Sequence, residues 1–352
     1  MIAFTKIKKY VLPLVCIGIN LYFIFKMPHS VTAGVTKGVQ ICFNTILPSL
    51  FPFMVISSYI SKTDLLSPFY RFIAPVTKYL FRQPPHTLPL IILSMIGGFP
   101  VGIKNIANDY NDGKITQNQA QRLCMFCMNG GPAFVITAVG VNMLGNMTAG
   151  VIIYISLCIS SLILGFLSSF FDDKKSTATT CSSFAQSPTI AISSAVIDST
   201  HAMLGICAWI ILFSGIAECI FALNLNNNIV IAITSVLEVT KGCSVTAGKF
   251  SLPIITAIIG FGGICVHCQI LSFLQITKLK YIRFIVGRII NGALSAIICH
   301  LLLMAFPVDI QTSVNMGNMT ISAFSVSIPA FLSLIVMCIT MILDIDNRRK
   351  MC

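Results

Sequence analysis

Apolar segments long enough to cross a membrane follow one another along almost the whole chain. The hydrocarbon core of a bilayer is about 30 Å thick and requires about 20 residues of α-helix. Such segments lie at 10–25, 38–60, 123–143, 149–171, 196–222, 251–276, 284–306 and 323–343. Charged residues make up only 10% of the 352 residues, too few to cover a surface in water. The sequence therefore predicts an all-α, polytopic membrane protein with about eight transmembrane helices.

The positions of the basic residues predict the orientation of these helices. We place the N-terminus in the cytoplasm. Segment 10–25 follows three lysines, as a signal peptide would, but no small-residue cleavage site follows it, so we read it as an uncleaved anchor. All but four of the 23 Lys and Arg residues then lie on the cytoplasmic side, the exceptions being Lys26, Lys37, Lys241 and Lys249. This bias predicts a multi-pass cell-membrane protein with both termini in the cytoplasm. It also explains the net charge of +12 without a nucleic-acid partner.

Two further apolar stretches are poorly suited to straight spanning helices. Residues 97–102 of the stretch 87–110 read Gly-Gly-Phe-Pro-Val-Gly, and glycine and proline both break helices. The stretch 228–248 is apolar through Leu237 and then continues Glu-Val-Thr-Lys-Gly. Irregular backbone at membrane depth occurs only where protein buries it or where it lines a watery cavity. We predict that both stretches are re-entrant hairpins.

The order of the elements predicts two units of opposite orientation. Each unit, 38–171 and 196–306, would contain a helix, a re-entrant hairpin and two more helices. The Ser- and Thr-rich stretch 172–195 would link them as a cytoplasmic loop. An N-terminal anchor helix and loop would occupy 1–37, and a C-terminal transmembrane helix with a basic tail 307–352. Inverted repeats with broken helices are characteristic of secondary transporters.

Polar groups at the breaks are the candidate solute-binding residues. Lys104 could meet a carboxylate or phosphate, or could reach the cytoplasmic interface. Asn129, before Gly-Gly-Pro, could bind solute, or the small residues could serve helix packing. Glu238 could bind a coupling ion, pair with Lys241 or Lys104, or lie solvated at the outer interface. The predicted set is Gly97, Gly98, Pro100, Gly102, Lys104, Asn129, Gly130, Pro132, Glu238, Thr240 and Gly242.

Other polar positions point to structure rather than to chemistry. The sequence contains no nucleophile-elbow, Walker, zinc-protease or Rossmann spacing, so we predict that the protein is not an enzyme. The Cys-Val-His-Cys run at 265–268 is expected to be a packed polar spot, not a metal site. Pro48 and Pro52 should kink the helix 38–60. Asn129-Gly130 and Asn291-Gly292 are the only hint of internal sequence similarity. No cofactor is predicted, although a coupling H⁺ or Na⁺ stays open.

Taken in order, several short motifs resemble the sporulation integral membrane proteins of the YlbJ type. They are Leu-Pro-Ser-Leu-Phe-Pro-Phe at 47–53, Gly-Phe-Pro-Val-Gly-Ile-Lys at 98–104, Asn-Gly-Gly-Pro-Ala-Phe at 129–134, Val-Gly at 139–140 and Leu-Glu-Val-Thr-Lys-Gly at 237–242. The resemblance implies nucleoside-recognition (gate) repeats related to concentrative nucleoside transporters. It further implies an endospore-forming bacterium, a role in spore maturation with dipicolinate as the suggested solute, and a location that includes the membrane around the forespore.

The residues and the resemblance lead to one functional hypothesis and two alternatives. The hypothesis is a carrier that moves a small anionic or nucleoside-like solute, such as dipicolinate, by alternating access. The first alternative is a non-transporting membrane scaffold for spore-envelope assembly, and the second is a passive channel. The lipid bilayer is the expected partner in every case, and the sequence leaves an oligomer open.

Overall fold

The computed structural model describes most of the predicted membrane segments. The described residues are 18, 21, 22, 24–63, 65, 75, 77–171, 187–223, 226–276 and 281–308. Most of the predicted span 10–25, all of 323–343 and the stretch 172–186 therefore lie outside them. All regular secondary structure in the described part of the chain is helical.

The α-helices are numbered here in chain order. They are α1 (Pro28–Ile41), α2 (Leu47–Thr63), α3 (Leu88–Ile96), α4 (Phe99–Asn111), α5 (Gln117–Phe126), α6 (Met147–Ser168), α7 (Pro188–Ala222), α8 (Asn227–Leu237), α9 (Val239–Thr246), α10 (Leu252–Phe261), α11 (Gly263–Ile276) and α12 (Tyr281–Ala305). Two π-helical segments, Cys42–Ile46 and Ala133–Met143, and short 3-10 turns at Pro85–Thr87 and Ser169–Phe171 complete the described elements.

Helices α1 and α2 form one long rod, joined by the π segment at Cys42–Ile46. The prediction of a loop up to residue 37 is wrong, because α1 already begins at Pro28, a residue type that fits the first turn of a helix. The π segment lies just before Pro48, whose ring nitrogen cannot donate to the carbonyl one turn earlier. The irregularity predicted from Pro48 and Pro52 is thus a widened turn in a continuous rod.

The long rod packs antiparallel against α7. A Cβ on Gly38 would lie 2.9 Å from Ile211 Cα, so the two helices approach backbone to backbone. Lys37 Nζ lies 2.7 Å from Glu218 Oε1, and Lys62 Nζ lies 2.9 Å from Asp198 Oδ2. An ion pair therefore joins the two rods near each end of their contact.

Helix α7 begins earlier than the composition predicts. The predicted linker 172–195 ends too late, because residues 188–195 form the first turns of α7. Pro188 occupies the first turn, and the small residues Ala191 and Ala195 are fully buried in a helix contact. Close helix contacts and flexible linkers are both rich in small residues. The composition of 188–195 therefore predicted a linker where the structure has a helix.

Both predicted hairpins are helical hairpins. The first, α3–α4, turns at Gly97 and Gly98, close to the predicted break. A Cβ on Gly102 would lie 2.6 Å from Ser94 Cβ, so α4 folds back along α3. The second, α8–α9, turns at Glu238, and a Cβ on Gly242 would lie 2.6 Å from Ser235 Cα.

Two segments predicted as single helices are interrupted in the middle. Segment 123–143 consists of the end of α5, an irregular stretch 127–131 and the π segment that starts at Ala133. Segment 251–276 is divided into α10 and α11 at Gly262 and Gly263, both with positive φ. Glycine adopts this backbone conformation at no steric cost, so consecutive glycines mark the interruption.

The elements repeat in the same order on both sides of the linker. Each half contains a long helix, a helical hairpin, an interrupted helix and a second long helix. The contacts between the halves are reciprocal: α4 packs on α11 and α9 on the second π segment, while α5 packs on α12 and α10 on α6. The two last helices, α6 and α12, pack on each other.

Four helices of the described residues are long and apolar enough to cross a membrane: Met147–Ser168, Pro188–Ala222, Leu252–Leu271 and Tyr281–Ala305. They support a multi-pass membrane protein. The total of eight spans stays a prediction.

Candidate functional site

A small cavity lies where the turns of the two hairpins meet. Its volume is about 30 Å³, enough for about one water molecule. The first hairpin contributes the turn at Gly98, and the second contributes Glu238 and Thr240. The complete lining is Ile46, Leu50, Gly98, Phe99, Pro100, Gly131, Phe134, Ile206, Ile210, Glu238, Val239, Thr240, Val266 and Gln269.

The cavity lies halfway along the long rods. Asp198 and Glu218 mark the two ion pairs of α7 and are about 20 residues apart, which corresponds to about 30 Å of helix. That distance matches the thickness of a hydrocarbon core. The cavity residues Ile206 and Ile210 stand symmetrically between the two acids. The cavity therefore lies at the mid-depth of the helical layer.

The turn of the first hairpin requires glycine for two reasons. Gly98 has φ +87°, a conformation that residues with a Cβ rarely adopt. A Cβ on the facing residue Gly131 would lie 3.1 Å from Gly98 Cα, so the turn touches the interruption at 127–131 backbone to backbone. Gly98 is also the N-cap of α4 and supplies no side chain to its amides. Pro100 has no N–H, and Val101 N donates to Gly98 O at 3.2 Å. Of the first three residues of α4, Phe99 is therefore the one whose amide can serve the cavity.

The turn of the second hairpin carries a buried carboxylate. Glu238 is 1% exposed, which excludes the alternative that it lies solvated at the outer interface. Its Oε1 accepts a hydrogen bond from Thr240 N at 2.9 Å, and its Oε2 accepts one from Lys241 N at 2.5 Å. The carboxylate caps α9 and is stabilised by the amide end of that helix.

The ammonium group of Lys241 is directed away from Glu238. It lies 3.4 Å from Glu218 Oε2 and 5.1 Å from the ring centre of Phe221. The Glu238–Lys241 pair considered from the sequence is therefore not formed. Lys241 lies in the first turn of α9, and its side chain extends toward α7, away from the Glu238 carboxylate. Glu218, a carboxylate within an apolar segment, joins two lysines, Lys37 and Lys241.

Lys104 is buried but lies outside the cavity. Its ammonium group donates to the backbone oxygen of Asp198 at 2.9 Å, beside the Lys62–Asp198 ion pair. A pair between Lys104 and Glu238, considered from the sequence, is not formed. Six residues of helix place Lys104 about 9 Å from Gly98, toward the Asp198 end of α7. Lys104 fastens α4 to α7 in this structure.

Asn129 lies next to the cavity, within a buried polar network. Its Oδ1 accepts a hydrogen bond from Ser161 Oγ at 2.6 Å, and the same hydroxyl lies 3.3 Å from Asn291 Oδ1. Ser160 Oγ donates to Asn291 Oδ1 at 2.7 Å. Asn129 Nδ2 has no hydrogen-bond partner among the described residues. The two Asn-Gly pairs are close in space through this network. They occupy different elements of the two halves, however, and are therefore not equivalent positions of a repeat.

The predicted solute-binding residues thus fall into two groups. Gly98, Pro100, Glu238 and Thr240 line the cavity. The remaining seven, Gly97, Gly102, Lys104, Asn129, Gly130, Pro132 and Gly242, do not line it. Gln269 of α11 is a polar lining residue that the sequence analysis did not single out.

Arg288 is the most important residue that the sequence analysis missed. Its side chain is completely buried in α12. Its guanidinium donates to Met128 O at 2.5 Å, to Gly260 O and to Phe261 O at 3.4 Å. These carbonyls belong to the two helix interruptions, where they lack the usual helical partners. The sequence analysis assigned Arg288 to a cytoplasmic segment, although it lies two turns inside α12.

The Cys-His-Cys run is built as a packed polar spot. His267 Nε2 lies 3.0 Å from Phe261 O, and Nδ1 lies 3.3 Å from the Tyr281 hydroxyl. Among the described residues, no group of three His, Cys, Asp or Glu side chains is arranged to hold a metal ion.

Part of the chain matches a known protein family, and most of it is similar to a known membrane protein. Residues 43–147 match the family model Gate, described as nucleoside recognition. The resemblance seen in the motifs is confirmed. The chain is also 21% identical, over 308 residues, to the sporulation integral membrane protein YlbJ of Bacillus subtilis (strain 168), covering 75% of this chain and 76% of that protein. No solved structure matches. The Gate match spans the first hairpin and the first interrupted helix, including the turn at Gly98 that lines the cavity.

Proposed function

We propose that the protein is a membrane carrier in sporulation that binds a small solute between its two hairpin turns. One observation supports the proposal above the others: a buried carboxylate and a helix N-terminus without a side-chain cap meet in a mid-depth cavity formed by both hairpins. Interrupted helices that meet at the midplane are the usual solute site of secondary transporters. The sporulation context comes from the similarity to the Bacillus protein, and it extends the proposed location to the membrane around the forespore.

The two hairpins would enter the membrane from opposite faces. In the first hairpin, Lys104 lies at the Asp198 end of α7, and in the second, Lys241 lies at the Glu218 end. The positive-inside rule puts the Asp198 end, with Lys62 and Lys104, in the cytoplasm and the termini with it. Both hairpins are then re-entrant, and the two halves form an inverted repeat.

The lining favours a nucleoside-like solute over a free dianion. The cavity holds about one water molecule while the hairpins are closed; once the hairpins separate, Phe99 and Phe134 would present aromatic rings to a planar solute, and Gln269 and Thr240 would offer hydrogen bonds. A dicarboxylate such as dipicolinate would bring two negative charges beside Glu238. It would therefore need a coupling H⁺ or Na⁺ to neutralise charge in a low-dielectric site. Glu238 is the residue at which such an ion would act.

Uptake by purified protein in lipid vesicles tests the proposal. Labelled nucleosides and labelled dipicolinate are offered separately, with and without an H⁺ or Na⁺ gradient, to the unchanged protein and to Glu238→Gln. We expect saturable uptake of one solute class that Glu238→Gln reduces at least about tenfold. Non-saturable flux would indicate a channel, and flux equal to that of empty vesicles for every solute would indicate a scaffold; either result contradicts the carrier.

A further inference from the structure

One lysine fastens each hairpin to α7. On the second hairpin, Lys241 Nζ lies 3.4 Å from Glu218 Oε2, and on the first, Lys104 Nζ donates to Asp198 O at 2.9 Å. Each lysine lies on the second arm of its hairpin, shortly after the turn that lines the cavity. A bond at this position holds the turn against the cavity.

The two anchor residues of α7 belong to a fixed frame. Glu218 also pairs with Lys37 at 2.7 Å, and Asp198 also pairs with Lys62 at 2.9 Å. Both of these lysines lie on the α1–α2 rod, which packs against α7 through closely apposed backbone at Gly34 and Gly38. The rod and α7 are thus tied to each other at both ends. The second hairpin is held to this frame by the charge of Lys241, and the first by the charge of Lys104 together with a neutral hydrogen bond from Asn105 Nδ2 to Ser57 Oγ at 3.0 Å.

We propose that Lys241 and Lys104 are latches that hold the two hairpins closed over opposite ends of the solute route and open one at a time. This inference rests on the proposed carrier function and specifies how it is gated. The Lys241–Glu218 latch closes the outer end, and the Lys104–Asp198 latch closes the cytoplasmic end. Opening one hairpin while the other stays fastened exposes the cavity to only one side.

The two latches differ chemically, and the difference yields a sharp test. The outer latch binds a side-chain carboxylate, whereas the inner latch binds the backbone oxygen of Asp198. A carbonyl oxygen has two lone pairs and can accept this bond in addition to its helical one. Changing the Glu218 side chain must therefore release the outer hairpin. Changing the Asp198 side chain must leave the inner latch intact.

Amide hydrogen exchange of the full chain in lipid nanodiscs, without solute, measures the latches directly. Lys241→Met and Glu218→Leu should each accelerate exchange in 227–246 about fivefold and leave 88–111 unchanged. Lys104→Met should do the reverse. Lys241→Arg keeps a cation within reach of Glu218 and should exchange as slowly as the unchanged protein.

Two matched controls remove a neighbouring charge without touching a latch. Lys37→Met should leave exchange in both hairpins unchanged. Asp198→Asn removes a carboxylate near Lys104 but keeps the backbone oxygen that accepts its hydrogen bond, so it should accelerate exchange of 88–111 clearly less than Lys104→Met does. Unaltered exchange of 227–246 in Lys241→Met, or acceleration of both hairpins together in any latch variant, would overturn the proposal. Because the measurement uses no solute, a failure of the latches is distinguishable from a failure of uptake, which the vesicle assay reports separately.

Discussion

The guanidinium group of Arg288 donates a hydrogen bond to the backbone oxygen of Met128 at 2.5 Å, between residues 160 positions apart in the chain. The same side chain donates to Gly260 O and Phe261 O. One arginine in the second half of the protein thus satisfies carbonyls at the interruptions of both broken helices. In the described part of the chain no carboxylate lies within ion-pair distance of Arg288. The partial negative charges of these carbonyl oxygens therefore compensate the positive charge of its guanidinium group.

Replacing Arg288 should therefore destabilise the protein strongly. Arg288→Met keeps much of the volume but takes a charged donor from three buried carbonyls, of which Gly260 O retains Asn291 Nδ2 at 3.5 Å and Phe261 O retains His267 Nε2 at 3.0 Å. Met128 O loses the donor described for it, and we expect a loss of about 3 kcal/mol. Arg288→Lys should recover little, because an ammonium group cannot reproduce the planar fork. The unfolding temperature in detergent, followed through the single tryptophan Trp209, measures the effect. Arg283→Met is the control: Arg283 is exposed, so water can replace its hydrogen bonds to Asn118 and Gln121 of α5, and the temperature should change clearly less.

The glycine at the first hairpin turn should be needed for packing as well as for backbone conformation. Gly98 and Gly113 both have positive φ, but a Cβ on Gly98 meets Leu50 at 3.0 Å while a Cβ on Gly113 meets open space. Gly113→Ala should cost about 1 kcal/mol, the backbone penalty alone. Gly98→Ala should cost that amount, displace Leu50 at the cavity wall and abolish uptake. Equal unfolding temperatures and equal uptake for the two variants would contradict the assigned role of Gly98.

The shared hydroxyl of Ser161 should be required for the buried polar network. Ser161→Ala leaves Asn129 without the described partner of its Oδ1, and we expect a loss of about 1–3 kcal/mol. Ser156→Ala is the matched control, because Ser156 is equally buried in α6 but donates to Ile152 O of its own helix, and its other contact is with the weakly hydrogen-bonding thiol of Cys299. Its removal should cost clearly less in the same thermal assay. A larger effect at Ser156 than at Ser161 would show that the network does not stabilise the centre.

Labelling of introduced cysteines should show that both ends of the second hairpin face the same side. Asn228 and Lys249 flank the α8–α9 hairpin and are exposed, and Gly113 lies in the loop between α4 and α5. A membrane-impermeant thiol reagent applied to intact cells should label Asn228→Cys and Lys249→Cys but not Gly113→Cys. The comparison is made in a background from which reactive native cysteines have been removed. Labelling of Asn228→Cys and Lys249→Cys from opposite sides would mean that 228–248 crosses the membrane fully.

Local backbone chemistry predicted the first hairpin turn correctly. Two glycines and a proline at 97–100 exclude a regular helix whatever surrounds them, and the break occurs at Gly98. The same reasoning failed at Gly262 and Gly263, because a long apolar run masked two glycines that take positive φ. It also failed at Ala191 and Ala195, where small residues indicate either a linker or a close helix contact. Only the helix packed against them distinguishes the two cases.

The sequence predicted which backbone positions of the candidate site are irregular. It did not predict the directions in which the side chains of the site extend. Glu238 and Gly98 were identified because a charge or a glycine at membrane depth is costly wherever it points. The destinations of Lys104 and Lys241 depend on how helices α4 and α9 are rotated toward α7, which long-range packing sets.

Composition and the periodic recurrence of apolar segments were sufficient for the membrane class, the helical fold and the positions of the hairpins, because these follow from the cost of exposing backbone and charge to lipid. Tertiary packing alone decided that Arg288 joins the two interruptions, that Glu218 holds two lysines and that the hairpin turns meet in one cavity. Each of these contacts joins residues far apart in the chain, and their energies depend on distances that no local pattern encodes.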